Sequence, residues 1–204
     1  MSFTTEVKNE ICKLEFPLLE NISELSAFAR NNSKFNNDEI ELVTENERVA
    51  ERISRLINNI YGINPTLTEE NFANFVSKKI FKIRIKNKVE EILRDLSLKD
   101  EDGNYIESPR EYIIGSTEES KAYIRGAFLA KGSINDPKTS MYHLEFGFDN
   151  KYEAIFLQRL LNSFDINYSF EGLDEKNTKE AEENVESGKF FLKTAYFYFF
   201  AELL

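Results

Sequence analysis

The sequence concentrates side chains that could bind phosphate between Lys78 and Lys88. Three of these cations, Lys82, Arg84 and Lys86, are separated from one another by single isoleucines. Successive side chains of a β-strand point to opposite faces, so this spacing predicts a strand with one basic and one apolar face. Basic strand faces contact nucleic-acid phosphates and position a duplex without reading its sequence. We therefore predict that this strand face binds DNA; an ordinary solvated face is the alternative.

Few other residues have types and spacings suited to chemistry. His143 is the only histidine and Cys12 the only cysteine, so neither has a Cys or His partner at metal-ligand spacing. We interpret Asp136, Glu145 and Asp149 as a turn residue, a strand-face residue and a helix N-cap. No glycine-rich phosphate loop and no nucleophile motif occurs in the sequence. The sequence therefore predicts no catalytic residue, no metal site and no cofactor.

Composition limits the class of protein. The chain has 204 residues, 41% of them hydrophobic, which suffices for one domain built from two similar halves. Its formal net charge of -10 argues against unaided tight binding to nucleic acid, because phosphates favour net positive charge. No apolar run is long enough to span a bilayer, and the N-terminus lacks a signal-peptide pattern. The single cysteine suits a reducing compartment, so we expect a cytoplasmic protein.

The elements that must position these residues occur twice. Residues 25–64 have a counterpart in residues 124–167, with apolar, polar and turn positions in step. The stretch Leu25 to Arg30 aligns with Ile124 to Leu129, and Arg55 to Asn58 aligns with Arg159 to Asn162. A duplicated unit of this kind predicts a fold with a pseudo-two-fold axis.

Hydrophobic spacing, turn residues and caps predict the elements of each unit. In the first unit the predicted helices are 3–15, 21–31, 44–60 and 87–96. Thr44 is the predicted N-cap of the third, with Glu47 as its capping-box partner. A strand at 39–43 follows a turn at 36–38, and a hairpin covers 65–85. In the second unit the predicted elements are helices at 118–130 and 151–164, and strands near 133, 141–148, 167–171 and 188–193. The predicted fold is α+β, with tandem αββαββα units after a short N-terminal helix. The predicted domain limits are 1–96, a linker at 97–117, and 118–204, in which the acidic stretch 172–187 forms a surface loop.

Small residues on the first helix of each unit predict that these two helices pack together. Every fourth residue from Ala122 to Ala130 is small, so these residues share one helix face. Glycine inside a helix costs about 1 kcal/mol relative to alanine, and close approach of another helix is the usual compensation. An ordinary core helix with an incidental glycine is the alternative. We predict that small residues from both helices form the contact: Ser23, Ser26, Ala27, Ala122, Gly126 and Ala130.

Four separated motifs carry a resemblance to known families. They are SFTTEVK at 2–8, ELSAF at 24–28, YIRGAFLAKGSINDP at 123–137 and YHLEF at 142–146. The duplicated unit resembles the LAGLIDADG homing endonuclease fold, in which two central helices each place an acidic residue beside the scissile phosphates. The motifs are closer still to the WhiA family of bacterial regulators of sporulation and cell division. In that family a degenerate LAGLIDADG domain precedes a helix-turn-helix DNA-binding domain, and the resemblance runs through nearly the whole chain.

The resemblance implies partners as well as a fold. It implies DNA, bound mainly through a C-terminal helix-turn-helix domain, and other regulatory proteins as further partners. This chain stops inside the apolar run 197–204, so we expect it to be a fragment that lacks that domain.

The sequence departs from the nuclease pattern at the two positions that would carry the catalytic acids. They hold Asn32 in the first unit, followed by Ser33 in place of a glycine, and Lys131 in the second unit. Metal-dependent phosphodiester hydrolysis needs carboxylates that hold divalent ions, which an amide and an ammonium group do not provide. We therefore expect no nuclease activity, and interpret Asn32 and Lys131 as degenerate positions.

Three functions remain open at this stage. The first is a non-catalytic domain of a DNA-binding transcriptional regulator involved in sporulation, cell division or chromosome segregation. The second is a protein-interaction module without DNA contact, which the net charge of -10 favours for this chain alone. The third is an active LAGLIDADG endonuclease, which Asn32 and Lys131 oppose.

Overall fold

The structure is a computed structural model that describes residues 2–71, 79–136, 138, 144–164, 169–171 and 190–194. The predicted loop at 172–187, the end of the chain at 197–204 and His143 lie outside the described residues.

The first unit has the predicted order of helices and strands after an N-terminal helix. Its elements are α1 (Phe3–Ile11), α2 (Leu18–Asn32), β1 (Ser33–Phe35), β2 (Ile40–Thr44), α3 (Glu47–Tyr61), β3 (Thr66–Asn71), β4 (Lys79–Ile85) and α4 (Val89–Asp95). The strands form an antiparallel sheet in the order β1-β2-β4-β3. The predicted hairpin turn is present, because the Asn36 side chain accepts the backbone N–H groups of Asp38 and Glu39.

The second unit repeats this arrangement as far as it is described. Its elements are α5 (Thr117–Lys131), β5 (Gly132–Ile134), β6 (Leu144–Phe148), α6 (Lys151–Asn162), β7 (Ser169–Glu171) and β8 (Phe190–Thr194). Its sheet has the equivalent order β5-β6-β8-β7, again antiparallel. The α+β fold class predicted from the internal repeat is confirmed.

Several helix ends differ from the prediction, among them the start of α2 at Leu18 and not at residue 21, and three of the differences have a local reason. Helix α1 ends at Ile11 and not at residue 15, because Lys13 and Leu14 bond in tight turns to carbonyls three residues back. Helix α3 is capped by Asn46, whose side chain accepts from Val49, while Thr44 completes β2. The cap of α6 is Asn150, one residue after the predicted Asp149. In both units the asparagine that follows the acid is the cap, because its side chain reaches the N–H groups of the first turn.

The predicted linker at 97–117 is an ordered segment bound to α2. Lys99 and Tyr105 form an isolated antiparallel bridge, and a short 3-10 helix covers Glu111–Ile113. The Arg30 guanidinium donates to the carbonyls of Ser97 and Ile106. These bonds hold the segment that joins the two units against the central helix of the first.

Helices α2 and α5 pack against each other as predicted. An ideal Cβ at Gly126 would lie 2.8 Å from the carbonyl carbon and 2.9 Å from the Cα of Glu24. Ala27 and Ala122 are fully buried, and Ala130 is partly buried. The hydroxyl groups of Ser23 and Ser26 have a different use: they donate to the carbonyls of Ile113 at 2.5 Å and Leu96 at 2.7 Å. Ser23 therefore bonds α2 to the segment that joins the units, and Ser26 bonds α2 to the end of α4.

Helix α1 crosses from the first unit to the second. The Thr4 hydroxyl donates to the Ile134 carbonyl and accepts the Ile134 N–H, both at 2.9 Å. The Lys8 ammonium donates to the Leu129 carbonyl at 3.1 Å and lies 5.5 Å from the centre of the Phe128 ring. The domain limit at residue 96 therefore groups α1 with the first unit although it also bonds to β5 and α5.

A buried ionic cluster joins the units at the contact between α2 and α5. Glu24 accepts from Arg52 of α3 at 2.5 and 2.9 Å, and from Arg125 of α5 at 2.6 Å. The Arg125 guanidinium also lies 3.5 Å from the centre of the Phe16 ring. In the alignment of the two units, Tyr123 corresponds to Glu24 and Phe156 corresponds to Arg52. Tyr123 and Phe156 pack edge to face with ring centres 5.2 Å apart.

A second buried carboxylate, Glu153 of α6, has weaker partners. It accepts from the Tyr123 hydroxyl at 2.6 Å and from the Asn31 amide at 3.4 Å, while the Arg30 Nε lies 3.6 Å away. Neither that nitrogen nor the Glu153 Oε2 has a hydrogen-bond partner among the described residues. Burial raises the pKa of Glu153 to about 7, and the nearby Arg30 charge only partly opposes this.

The Glu153→Gln variant should lose part of the pH dependence of stability. The folded state holds the Glu153 proton more tightly than the unfolded chain does. The resulting stabilisation of the folded state is fully present below pH 4.5 and is lost as pH rises through about 7. Relative to the parent, the variant should gain about 2 kcal/mol of unfolding free energy between pH 5 and pH 8. Urea denaturation at a series of pH values measures this difference. Parallel stability curves for parent and variant would contradict it.

Candidate nucleic-acid interface

The alternation predicted for β4 is present in the structure. On β2 and β4 the residues Leu42, Ile83 and Ile85 are buried beneath the helices. Their neighbours Glu41, Lys82 and Arg84 point to the opposite face of the sheet and are partly exposed. Lys82 and Arg84 therefore lie on the open sheet face, as the basic-strand prediction requires.

The cations on this face are paired with carboxylates of the neighbouring strands. Lys82 lies 2.7 Å from Glu70 on β3, and Arg84 lies 2.9 Å from Glu41 on β2. Lys86 lies 3.4 Å from Glu39, next to the start of β2. The hydrogen bond from Lys82 lowers the pKa of Glu70, so that carboxylate stays ionised. The formal charge of these three pairs is zero, and a phosphate must compete with a carboxylate for each cation.

The pairing of these three cations with carboxylates could not be predicted from the sequence. The basic segment itself contains no acid, and Glu39 and Glu41 come from another part of the chain. Only the register of the sheet, with Glu41 opposite Arg84, brings the two charges together. The assignment of Lys82, Arg84 and Lys86 as DNA-binding residues stays a prediction.

The two degenerate positions lie side by side where α2 and α5 end. Asn32 and Lys131 are the last residues of their helices. The Asn32 amide crosses to α5 and donates to the Ala130 carbonyl at 3.2 Å. Lys131 forms an ion pair with Asp149 at 3.1 Å. The last carbonyl groups of a helix lack intrahelical donors and carry partial negative charge, so an amide and an ammonium group are favourable neighbours for them.

Lys8 adds a third donor at the same place. Burial lowers its pKa to about 8; the nearby Cys12 and Glu45 raise it, and the charge of Lys131 lowers it further. Sequence reasoning missed Lys8, because it is a charged residue on a helix whose apolar face was defined by Val7, Ile11 and Leu14. Its role depends on how α1 crosses between the units.

These residues line a cleft of about 670 Å³ that both units form. Two acids at its margin, Glu45 and Asp149, occupy equivalent positions of the repeat. The described part of the chain contains no group of three or more His, Cys, Asp or Glu residues placed to hold a metal ion. The lining residues are Thr4, Thr5, Lys8, Asn31, Asn32, Ser33, Lys34, Val43, Thr44, Glu45, Asn46, Ile80, Ala130, Lys131, Gly132 and Asp149.

The replacement of a glycine by Ser33 has a steric explanation. At the equivalent Gly132, an ideal Cβ would lie 2.7 Å from the Cα and 2.7 Å from the Cγ of Phe128. The residue equivalent to Phe128 in the first unit is Ala29, which has no ring to obstruct Ser33. The Cα is present in both units, but the backbone differs there, with a φ of -105° at Ser33 and -75° at Gly132. Each unit therefore combines a large side chain with glycine, or a small side chain with serine.

The remaining candidates do not add a reactive group. The Asp136 side chain accepts the backbone N–H of Lys138, which confirms its role in a turn. Cys12 is buried, and burial raises the pKa of its thiol to about 12. Glu145 lies on the open side of β6, opposite Lys193 of β8 in the sheet register. No described helix is long and apolar enough to cross a membrane.

Comparisons with known proteins agree with this geometry. The family model described as the WhiA N-terminal LAGLIDADG-like domain matches residues 19–99. The model described as the WhiA LAGLIDADG-like domain matches residues 120–181. The two matches correspond to the two units of the repeat.

Similar proteins and solved structures support the same grouping. The chain is 35% identical over 168 residues to the probable cell division protein WhiA of Lactobacillus gasseri, covering 80% of this chain and 54% of that protein. It is 34% identical over 171 residues to the same protein of Staphylococcus aureus, covering 82% of this chain and 54% of that protein. The chain thus spans about half the length of the curated relatives that it matches.

Two solved WhiA structures and one nuclease share the fold. Full-length DUF199/WhiA from Thermatoga maritima superimposes with a TM-score of 0.67 at 18% identity, covering 100% of this chain and 61% of that one. The N-terminal LAGLIDADG domain of DUF199/WhiA gives a TM-score of 0.69 at 17% identity, covering 99% and 88% of the two chains. I-DmoI in complex with DNA and Mn gives a TM-score of 0.52 at 13% identity, covering 87% and 90%. Both LAGLIDADG-like units match WhiA models, and this chain therefore belongs to the WhiA family.

Proposed function

We propose that this chain is a non-catalytic, DNA-associated domain of a bacterial transcriptional regulator that acts in cell division, sporulation or chromosome segregation. The relatives named as probable cell division proteins support the biological setting. The nuclease that shares the fold was solved with DNA and Mn, which supports DNA as the partner of this fold. In this role the domain works in the cytoplasm at the nucleoid, beside a helix-turn-helix domain and other regulatory proteins.

The single observation that carries the non-catalytic role is the bonding at the ends of α2 and α5. Where a nuclease of this fold needs two carboxylates, Asn32 donates to Ala130 and Lys131 pairs with Asp149. Both side chains are donors, and an ammonium group repels a divalent cation. The position can stabilise helix ends or contact an anion, but neither helix end presents the carboxylate with which a nuclease of this fold holds Mg²⁺ or Mn²⁺.

The purified chain should not cleave DNA in the presence of Mg²⁺ or Mn²⁺. Catalysis by this fold requires carboxylates that bring metal, water and phosphate together, and neither helix end supplies one. Incubation with supercoiled plasmid, followed by gel electrophoresis, measures nicking. Stoichiometric nicking that disappears in an Asp136→Asn variant would overturn the proposal and restore the endonuclease hypothesis.

DNA binding by this chain alone should be weak, and neutralising the paired carboxylates should strengthen it. The triple variant Glu39→Gln, Glu41→Gln, Glu70→Gln frees Lys82, Arg84 and Lys86 from their partners. Each cation that then contacts a phosphate should steepen the dependence of log K on log salt by about 0.9. Fluorescence anisotropy of a labelled duplex at 25 to 150 mM NaCl (roughly the range in which phosphate contacts dominate) measures the slope.

A matched control separates this local effect from the change in net charge. Glu10, Glu51 and Glu118 are also exposed and paired with lysine or arginine, but they lie on helices and away from the sheet. Their triple glutamine variant removes the same charge. Equal binding by the two triple variants would favour the second candidate, a protein-interaction module, which the net charge of -10 and the balanced strand face support.

A further inference from the structure

The cleft at the ends of α2 and α5 holds cations that can exchange their partners. Lys34 on β1 is exposed, and no hydrogen bond or ion pair to another described residue occupies it. The Lys131 side chain is 32% exposed, and that of its partner Asp149 is 70% exposed. Exposed pairs of this kind typically contribute about 0–1 kcal/mol, so an incoming anion can replace Asp149 at little cost.

Lys8 contributes a positive charge that cannot leave the cleft. Its ammonium group is held between the Leu129 carbonyl and the Phe128 ring. The charge of Lys131 is close enough to contribute to the lowered pKa of Lys8, after the larger effect of burial. The two ammonium groups therefore repel each other, and an anion placed between them would relieve that repulsion.

The balance of charge in the cleft differs from that of the whole chain. Lys8, Lys34 and Lys131 line it with two acids, Glu45 and Asp149, which gives a formal charge of +1. The whole chain carries -10. The cleft lies where α2 and α5 end and β1 and β5 begin, and Val43 and Ile80 from the open face of the first sheet also line it.

We propose that this cleft binds one phosphate group of a nucleic-acid backbone directly, through the ammonium groups of Lys131 and Lys34. The inference rests on the proposed contact with DNA and assigns its central anchor. Lys131 stands where a nuclease of this fold would place a carboxylate and, through it, a metal ion. An ammonium group at that place supplies positive charge to the phosphate without activating water, so the backbone is held and not cut.

The first test follows each lysine separately. Reductive methylation with ¹³C-formaldehyde keeps the positive charge and gives each lysine its own NMR signal, which Lys34→Gln and Lys131→Gln variants assign. The labelled protein is titrated with a short DNA duplex and, separately, with inorganic phosphate at constant ionic strength. Signals of Lys34 and Lys131 should shift with both probes. Signals of Lys13, in the turn after α1, and of Lys121, on α5, should not, because neither residue lines the cleft.

The two probes separate this inference from the proposed function. A response of Lys34 and Lys131 to inorganic phosphate without a response to DNA supports the oxyanion site and assigns it to a free phosphate, and it removes DNA from the proposed function. Binding of DNA without any response of the two lysines overturns the site and leaves the proposed function intact. If neither DNA nor inorganic phosphate shifts the signals of Lys34 and Lys131, the site is overturned as well.

The second test measures affinity. The double variant Lys34→Gln, Lys131→Gln is compared with Lys13→Gln, Lys121→Gln, which changes the net charge equally. Loss of the one phosphate contact that both lysines make should reduce the salt slope of duplex binding by about 0.9, whereas the control should keep the parent slope. Equal slopes for the two double variants would overturn the proposal. All four positions are at least partly exposed, so both variants should melt within a few degrees of the parent.

Discussion

Replacing Gly126 with alanine should destabilise the chain by about 3 kcal/mol, although alanine is the better helix former. In an exposed helix this substitution would gain about 1 kcal/mol. Here the new Cβ would lie 2.8 Å from the carbonyl carbon and 2.9 Å from the Cα of Glu24. These are backbone atoms of a packed helix, so no side-chain rotation relieves the overlap, and α2 and α5 must move apart.

Thermal denaturation measures the effect of Gly126→Ala. For a chain of this size, each kcal/mol should lower the melting temperature by about 2–4 °C. Gly115→Ala is the matched control: its Cβ would meet the Glu119 Oε2 at 3.3 Å and the Glu111 carbonyl oxygen at 3.4 Å, and the first of these atoms can move. The control should melt close to the parent. A Gly126→Ala variant that melts at or above the parent temperature would show that the helices are farther apart.

The contact tested by Gly126 was accessible from the sequence, because it depends on the repeat. The register of residues 25–64 on 124–167 predicted both units, and the four-residue spacing of small residues predicted the face of α5. A glycine inside a helix is unfavourable unless another backbone lies close to it, so one residue indicated a tertiary contact. The degenerate positions Asn32 and Lys131 were also accessible, because residue type alone decides whether a group can hold a metal ion.

What the sequence did not reveal depends on contacts between distant parts of the chain. The basic segment around Arg84 predicted a charged surface, but Glu41 lies directly opposite it in the sheet. Helix α1 was predicted from its amphipathic pattern, yet nothing local indicated that Thr4 and Lys8 would bond to the second unit. Hydrophobic periodicity predicts which face of an element is buried, but it does not predict which other element covers that face.

The buried ionic cluster is the clearest case of this kind. Glu24, Arg52 and Arg125 are ordinary charged residues in the sequence, and all three are buried in the structure. They come from three helices, α2, α3 and α5, so no local pattern relates them. The second unit has the aromatic pair Tyr123 and Phe156 at the place of Glu24 and Arg52. The fold therefore accepts either chemistry at this position, provided that the partners match.

Glu24→Ala should cause the largest loss of stability among single substitutions in this cluster, about 3–5 kcal/mol. It would leave two guanidinium groups, with side-chain exposures of 1% and 2%, without their carboxylate. Arg52 would keep its bond to the Leu14 carbonyl, which carries no formal charge. Arg125 would keep its contact with the Phe16 ring and a longer ion pair with Glu20 at 3.9 Å, which replaces the 2.6 Å contact with Glu24 only in part. Urea denaturation of parent and variant measures the loss.

A variant in which the whole cluster is neutral separates the effect of the lost charge on stability from the effect of the lost side-chain volume. The triple variant Glu24→Leu, Arg52→Met, Arg125→Met removes all three charges and keeps most of the packing volume. Buried ion pairs are often replaced by well-packed apolar residues at little cost, whereas removal of one partner leaves an uncompensated charge. The triple variant should therefore be more stable than Glu24→Ala, although it carries two more substitutions. If it is instead the less stable of the two, the cluster stabilises the contact between the units through its ionic bonds, and the charge left unpaired in Glu24→Ala is not the main cause of the loss.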